Sequence, residues 1–524
     1  MSAPRHPAAT PPARAIRWVG TQGFLVECAS LEDVMAVHAH LTAHPERGQR
    51  QVMAAAATVL VTFTSQAAAE HAAPRVSTLT PDAGELTGGR IVEIPVVYDG
   101  EDLAEVGRLT GLGVDGVIRA HSEADWFAAF GGFAPGFMYC ASEAAPFEAP
   151  RRSSPRTAVP AGAVAVAGAF SAVYPRTSPG GWQLIGTTNT PMWDSTVTPP
   201  ALVAPGDRVH YRAVATLDDD RATARHHLDT PPRRPVFTLD DAGLQTLYQD
   251  LGRQGNGNLG VTTSGSADRA SARTANAAVG NKRNATLLEN IGGLSMTALT
   301  ETVISVTGAD ADVTVGGRPV PLATPTIVPA GAEVVVKQAR LGFRTYIAVR
   351  GGLIADTELD SAATDMLSGL GPEPLSSGDQ IAMSLAKPQS ANSLLSNPLR
   401  VERDGADVVG TVRCVLGPRD DWFGDDAVEQ FFNTTFTVTG DSNRVGLRLE
   451  SDAPLRRERE GELPSEGMVA GSVQIPPSGQ PVLFLRDHAV TGGYPVIATV
   501  INEDVDIAAQ LPPGAKLRFE RYSL

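Results

Sequence analysis

A chain of 524 residues is too long for one hydrophobic core, since single cores stop growing near roughly 250 to 300 residues, so two or more domains are expected. Its formal net charge of −15 provides no basic surface for a polyanion, which excludes nucleic acid and anionic membrane as default partners and favours a small-molecule substrate. Three cysteines, Cys28, Cys140 and Cys414, form no CxxC pair, so neither a disulfide framework nor a zinc site is expected, and a reducing cytoplasm fits.

The opening MSAPRHPAATPPAR has no apolar signal region and reads as a disordered tail over 1–14. No later apolar stretch reaches the roughly 18 residues of a membrane span. The 52 glycines and 39 prolines predict many tight turns, and hence a mostly β chain.

Residues 16–27 read as a strand. Ser30 and Asp33 then form a capping-box-like start to a helix with Leu31, Val34, Met35, His38 and Leu41 on one stripe. With strands predicted at 58–63 and 91–98 and a polar loop at 67–89, residues 15–100 read as a small α+β subdomain. A short helix near 101–110 leads into a Gly- and Pro-dense region, 101–213, with the texture of a β-barrel carrying long loops. The segment LDDDRATARHHLDTPPRRP marks a linker at 214–235, and its His226 and His227 read as exposed rather than metal-binding. Residues 236–524 form the second half, of two β-barrel modules.

An ordered similarity relates the two sides of the linker. Ala161-Gly162-Ala163-Val164 matches Ala470-Gly471-Ser472-Val473, Gly180-Gly181-Trp182 matches Gly492-Gly493-Tyr494, and PGDRVHY at 205–211 matches PGAKLRF at 513–519. Modules on a common plan follow from this.

Several segments carry candidate chemistry. GGFAPGFMY places Phe133, Phe137 and Tyr139 around a Pro-Gly turn, suited to stacking a planar ligand or to packing a barrel corner. Arg151, Arg152 and Arg156 offer guanidinium forks for carboxylate or phosphate, or for neighbouring acids. Gly180, Gly181 and Trp182, in SPGGW, either turn consecutive backbone amides toward an anion or form a plain turn before a strand. Asp268 precedes a helical run at 270–279 and is either its cap or a site acid.

RDHAVTGGYP is the densest cluster, with Asp487, His488, Thr491, Gly492, Gly493 and Tyr494. Asp487 and His488 are the acid–base candidates, although in an extended strand such neighbours face opposite sides. No phosphate-loop, HExxH, GxSxG or biotin-carrier Met-Lys-Met motif occurs, and no metal site is expected.

The runs EIPVVYDGEDLAEVGRLTGL, AHSEADWFAAFGGFAPGFMY, PRRSSPRTAVPAG and SPGGWQLIGTT closely resemble the B-subunit family of 5-oxoprolinase, which also contains a sporulation-kinase inhibitor. YQDLGRQGNGNLGV, SNRVGLRLE, SVQIPPSGQPVLFL and TGGYPVIATVI resemble the C-subunit family of 5-oxoprolinase, a biotin-dependent carboxyltransferase type also found in urea amidolyase, with its allophanate hydrolase activity. Two departures stand out, Thr246-Leu247-Tyr248-Gln249-Asp250 for a usual Thr-Thr-Val-Gln-Asp, and Ala362 to Asp365 where a Ser-Thr-Asp is usual.

The resemblance implies a fused chain of α+β, mostly β class, with cyclophilin-like barrels. It implies an ATP-dependent lactam hydrolase that opens 5-oxoproline to glutamate with a separate third 5-oxoprolinase subunit and is inactive without it. ATP is then the cofactor, and biotin is not attached to this chain. A homo-oligomer is compatible with this reading. The alternatives are a biotin-dependent carboxyltransferase of urea amidolyase type and a non-enzymatic, kinase-inhibitor-like regulator.

Overall fold

The structure is a computed structural model. It describes residues 13–81, 89–217 without 143, 145, 146, 153 and 155, 234–384, 389–461 without 393, and 463–523. Most of the expected tail and linker, including His226 and His227, lies outside the described residues.

The N-terminal sheet is antiparallel and four-stranded, in the order Ile16–Trp18, Gly23–Glu27, Thr58–Phe63, Gln49–Ala54. Helix Leu31–Ala43 starts as expected, with Ser30 Oγ accepting the Asp33 N–H at 3.2 Å. It buries Val34, Val37 and Leu41 against Phe24, Val26, Val59 and Val61. Arg14, read as the end of the tail, is held by Asp33 at 2.7 Å.

The predicted loop at 67–89 is a helix over most of its described part, Gln66–Ser77, capped by Ser65. Its buried face is Ala69, Ala72, Ala73 and Val76. That spacing is helical, but alanines give a weak hydrophobic signal. Strand Ile91–Val96, expected in the small subdomain, pairs in parallel with Arg208–Ala213 in the next sheet. The two segments are far apart in sequence, so the pairing leaves no local signature.

That next sheet has seven strands, in the order Gln183–Thr187, Ala163–Ala167, Phe170–Val173, Met138–Ala141, Trp126–Gly131, Arg208–Ala213, Ile91–Val96. Helices Leu103–Thr110 and Gly113–Glu123 stand where one short helix was predicted. In the second half, a seven-stranded and a five-stranded sheet enclose one core. An eight-stranded sheet follows, in which Asp407–Leu416 pairs with Val496–Val500 on one side and in parallel with Lys516–Arg521 on the other. This second pairing closes the sheet into a barrel. The chain is thus mostly β with barrel-like sheets, as expected.

The sequence repeat is a repeat of structure. Gly162 donates to Tyr174 O and accepts from Thr188 N, both at 2.8 Å. Gly471 donates to Phe484 O at 2.9 Å and accepts from Val500 N at 2.8 Å. Both take positive φ, 81° and 98°, where a side chain is disfavoured. The strands that close each unit, Arg208–Ala213 and Lys516–Arg521, both run parallel to the strand that opens it.

The two halves interlock through loop 254–263. Leu259 O accepts the Gly136 N–H at 3.0 Å, and a Cβ on Gly260 would stand 2.1 Å from Ala134 O. Glycine is required there for the backbones to approach. On the other flank, the N-terminal sheet rests on the last barrel through Arg419, whose Nη1 lies 2.6 Å from Glu27 while its fork engages Glu466. These contacts fix the cleft between the halves.

Candidate functional site

A cavity of about 220 Å³ lies at this junction, and both halves wall it. The first half supplies Phe133 and Arg176, and the second supplies Thr262, Ser368 and His488.

Phe133 is held at φ 63°, a conformation that is uncommon for a bulky residue. Its N–H donates to Thr491 Oγ1 at 3.3 Å, so Thr491 positions the loop. Phe137, Tyr139 and Trp182 do not line the cavity. They pack edge to face with ring centroids 5.2 to 5.5 Å apart, which makes them core. The loop amides of Gly132, Ala134 and Gly136 already donate to backbone carbonyls, so they are not free to bind an oxyanion.

The arginine cluster serves the fold. Arg152 Nη1 lies 2.6 Å from Asp102, and Arg156 lies 2.9 Å from both Asp102 and Glu101. Buried Asp102 also accepts the Leu184 N–H. Arg151 is exposed. Gly180 is a packing glycine, since a Cβ there would meet the Tyr174 hydroxyl at 2.2 Å, and Gly181 accepts from the Arg152 N–H. Gly492 pairs with Glu466, a Cβ on Gly493 would come no closer than 3.5 Å to Leu463 O, and Tyr494 is 44% exposed.

Asp268 is a cap. It accepts from the Ser271 N–H at 2.9 Å and from Gln510 Nε2 at 2.8 Å. Burial, then the charge of Asp506, pushes it up to about 6.

Asp487 is fully occupied. Arg444 donates to its two oxygens at 2.9 and 3.0 Å, Ser264 Oγ at 2.6 Å, and the Met366 N–H at 3.0 Å. A carboxylate so satisfied is an anchor, not a proton carrier.

The turn at Arg486–Asp487 directs the next side chain to the cavity. His488 Nδ1 donates to Ala489 O at 2.8 Å, which leaves Nε2 as the acceptor. Burial pushes this ring down to about 4, so it is neutral at ordinary pH.

Three residues outside the predicted set complete the site. Asp365 sits behind Leu367 and Ser368. Its Oδ1 accepts both their N–H groups at 2.9 and 3.0 Å, whereas its Oδ2 is buried without a partner. Burial, then the charge of Asp487, pushes it up to about 6. The Arg176 Nε is likewise buried without a hydrogen-bond partner, burial lowers Arg176 against the opposing charge of Asp365, and the Ser368 hydroxyl lies against Asp365, where it favours the ionised carboxylate. Unsatisfied buried polar groups are costly, and Arg176, which carries one, lines this cavity together with Ser368, with Asp365 behind Ser368. The signals available were Asp365, which persists within an altered motif, and Arg176, two residues before the Ser-Pro-Gly-Gly turn.

Comparison with known proteins identifies this architecture. Residues 259–521 match the family model "Carboxyltransferase domain, subdomain A and B", and residues 14–203 match "Carboxyltransferase domain, subdomain C and D". The chain belongs to this carboxyltransferase-domain family.

The carboxyltransferase-like chain is 31% identical to the 5-oxoprolinase C-subunit of Escherichia coli (strain K12), over 54% of its own length and 90% of that relative. It is 42% identical to the 5-oxoprolinase B-subunit of Bacillus subtilis (strain 168), over 25% of its length and 55% of that relative. A crystal structure of TTHA0988 is 32% identical with a TM-score of 0.83, covering 95% of this chain and 99% of that one. Urea amidolyase of Lachancea kluyveri is 28% identical over 56% of this chain, but only 17% of that relative is covered. One polypeptide therefore unites regions homologous to two 5-oxoprolinase subunits.

Proposed function

We propose that this chain is the fused B and C component of an ATP-dependent 5-oxoprolinase, hydrolysing 5-oxoproline to glutamate with a separate third subunit in the cytoplasm. The observation that carries this reading is the junction cavity, which neither half builds alone and which is lined by Arg176 and Ser368, with the buried Asp365 behind Ser368. The two relatives named as 5-oxoprolinase subunits match the two sides that wall it.

An unactivated lactam is a poor electrophile, and ATP, when bound, supplies the phosphoryl group that makes its oxygen a leaving group. The residues of this chain bind and move protons around that event. Arg176 pairs with the substrate carboxylate. Ser368 Oγ and His488 Nε2 hydrogen-bond the ring amide. Asp365, ionised above about pH 6, takes a proton through Ser368 as water adds.

Glutamate release from 5-oxoproline and ATP, measured with the chain alone and with the third subunit, tests the reading. Release only in the mixture is expected. No release with both proteins folded sinks it and promotes carboxyl transfer from a separate biotinylated carrier, the reading that the urea amidolyase match supports.

A further inference from the structure

A second cavity, of about 140 Å³, lies between the N-terminal sheet and the last barrel. A single water needs about 10 to 15 Å³, so this space accepts a ligand of many atoms. Arg50, Arg269 and Arg486 line it, and among the described residues no Asp or Glu does. In a chain of net charge −15, an all-cationic wall is against the trend.

One carboxylate, Asp506, is the counter-charge shared by the two buried cations. Arg269 and Arg486 are 9% and 4% exposed, yet the Nε of each has no acceptor, and neither does the Oγ1 of Thr499 on the same wall. Asp506 is the nearby carboxylate, and its oxygens already accept from Arg486 Nη2 at 3.1 Å and from the N–H groups of Arg269 and Ala270 at 3.0 and 3.1 Å. Burial, then Arg486, Arg273 and Arg50, hold the Arg269 guanidinium well below its ordinary value against Asp506. Buried donors left unpaired around an empty volume are what an anionic ligand would satisfy.

From this wall we infer a binding site for phosphoryl oxygens, occupied by the phosphate tail of a nucleoside triphosphate. The anion chemistry stands on the arginines, while the assignment to a nucleotide rests on the oxoprolinase reading. The position suits that role, because Thr262, His488 and Val490 wall both this cavity and the junction cavity. Arg269, Arg486 and Asn502 also wall a recess of about 540 Å³ that carries Arg273 and Arg400 together with Glu503 and Asp506, a mixed surface with room for the uncharged remainder of a nucleotide.

Calorimetric titration of the whole chain with ATP, tripolyphosphate and adenosine tests the site. ATP and tripolyphosphate should bind and adenosine should not. Arg50→Glu should weaken both by about tenfold or more without changing the melting temperature of the unliganded chain, because Arg50 is exposed. Thr499→Val should weaken both in the same direction. Absence of binding by either phosphoanion, or binding indifferent to both variants, overturns the site. Binding of tripolyphosphate but not ATP overturns the nucleotide assignment. If ATP binds as described but no glutamate forms with the third subunit, the oxoprolinase reading fails and the anion site stands. If glutamate forms while Arg50→Glu and Thr499→Val bind ATP normally, the reverse holds.

Discussion

A methyl group added to Gly369 would stand 2.8 Å from Arg176 Nη1, so a glycine of the second half makes room for a guanidinium of the first. Gly369 also takes φ 65°, which disfavours any side chain. Gly369→Ala should therefore displace Arg176 and cost about 1 kcal/mol of stability. Steady-state kinetics should show KM for 5-oxoproline rising about tenfold or more, with the fold kept. An unchanged KM would mean that Arg176 does not meet the substrate.

Asp365 gives a pH dependence of defined sign. Its folded value of about 6 lies above the roughly 3.9 of an unfolded aspartate. The folded state thus binds the extra proton, and stability is lost as pH rises from about 4 through 6. Ionised Asp365 costs on the order of 2 to 3 kcal/mol above that window. Asp365→Asn should be more stable than wild type at pH 8 by denaturant unfolding and should be inactive. In the wild type, activity should rise with pH through about 6.

Asp487 should behave as a structural residue. Asp487→Ala leaves Arg444 buried with one remaining carboxylate partner, Glu289, and breaking a buried pair typically costs about 3 to 5 kcal/mol. Melting curves should show that loss. His488→Gln should instead melt near wild type and lose turnover. A normally stable Asp487→Ala that has lost activity would return Asp487 to the proton-transfer step.

Much of the fold was legible because its signals are local. The Ser30 cap, the strand at 58–63 and the paired Gly162 and Gly471 are each written in a few adjacent residues. Helix Gln66–Ser77 was hidden because alanines form its buried face, and Ile91–Val96 was misplaced because its partner strand is more than a hundred residues away.

The site was partly legible. RDHAVTGGYP and GGFAPGFMY do converge on one cavity, yet only His488 and Phe133 of the predicted side chains line it. Sequence gives residue type and spacing but not which charges are already matched. Arg152, Arg156 and Asp487 have the right chemistry and are spent on ion pairs, whereas among the described residues Arg176 and Asp365 make none.

The central claim, that Arg176 holds the substrate carboxylate in the junction cavity, is tested most directly by comparing 5-oxoproline with 2-pyrrolidinone, the same lactam without the carboxylate, in the reconstituted enzyme. Wild type should favour 5-oxoproline strongly in kcat/KM, Arg176→Ala should erase most of that preference, and Arg176→Lys should restore part of it. A preference that survives in Arg176→Ala would contradict the account and place the substrate carboxylate elsewhere.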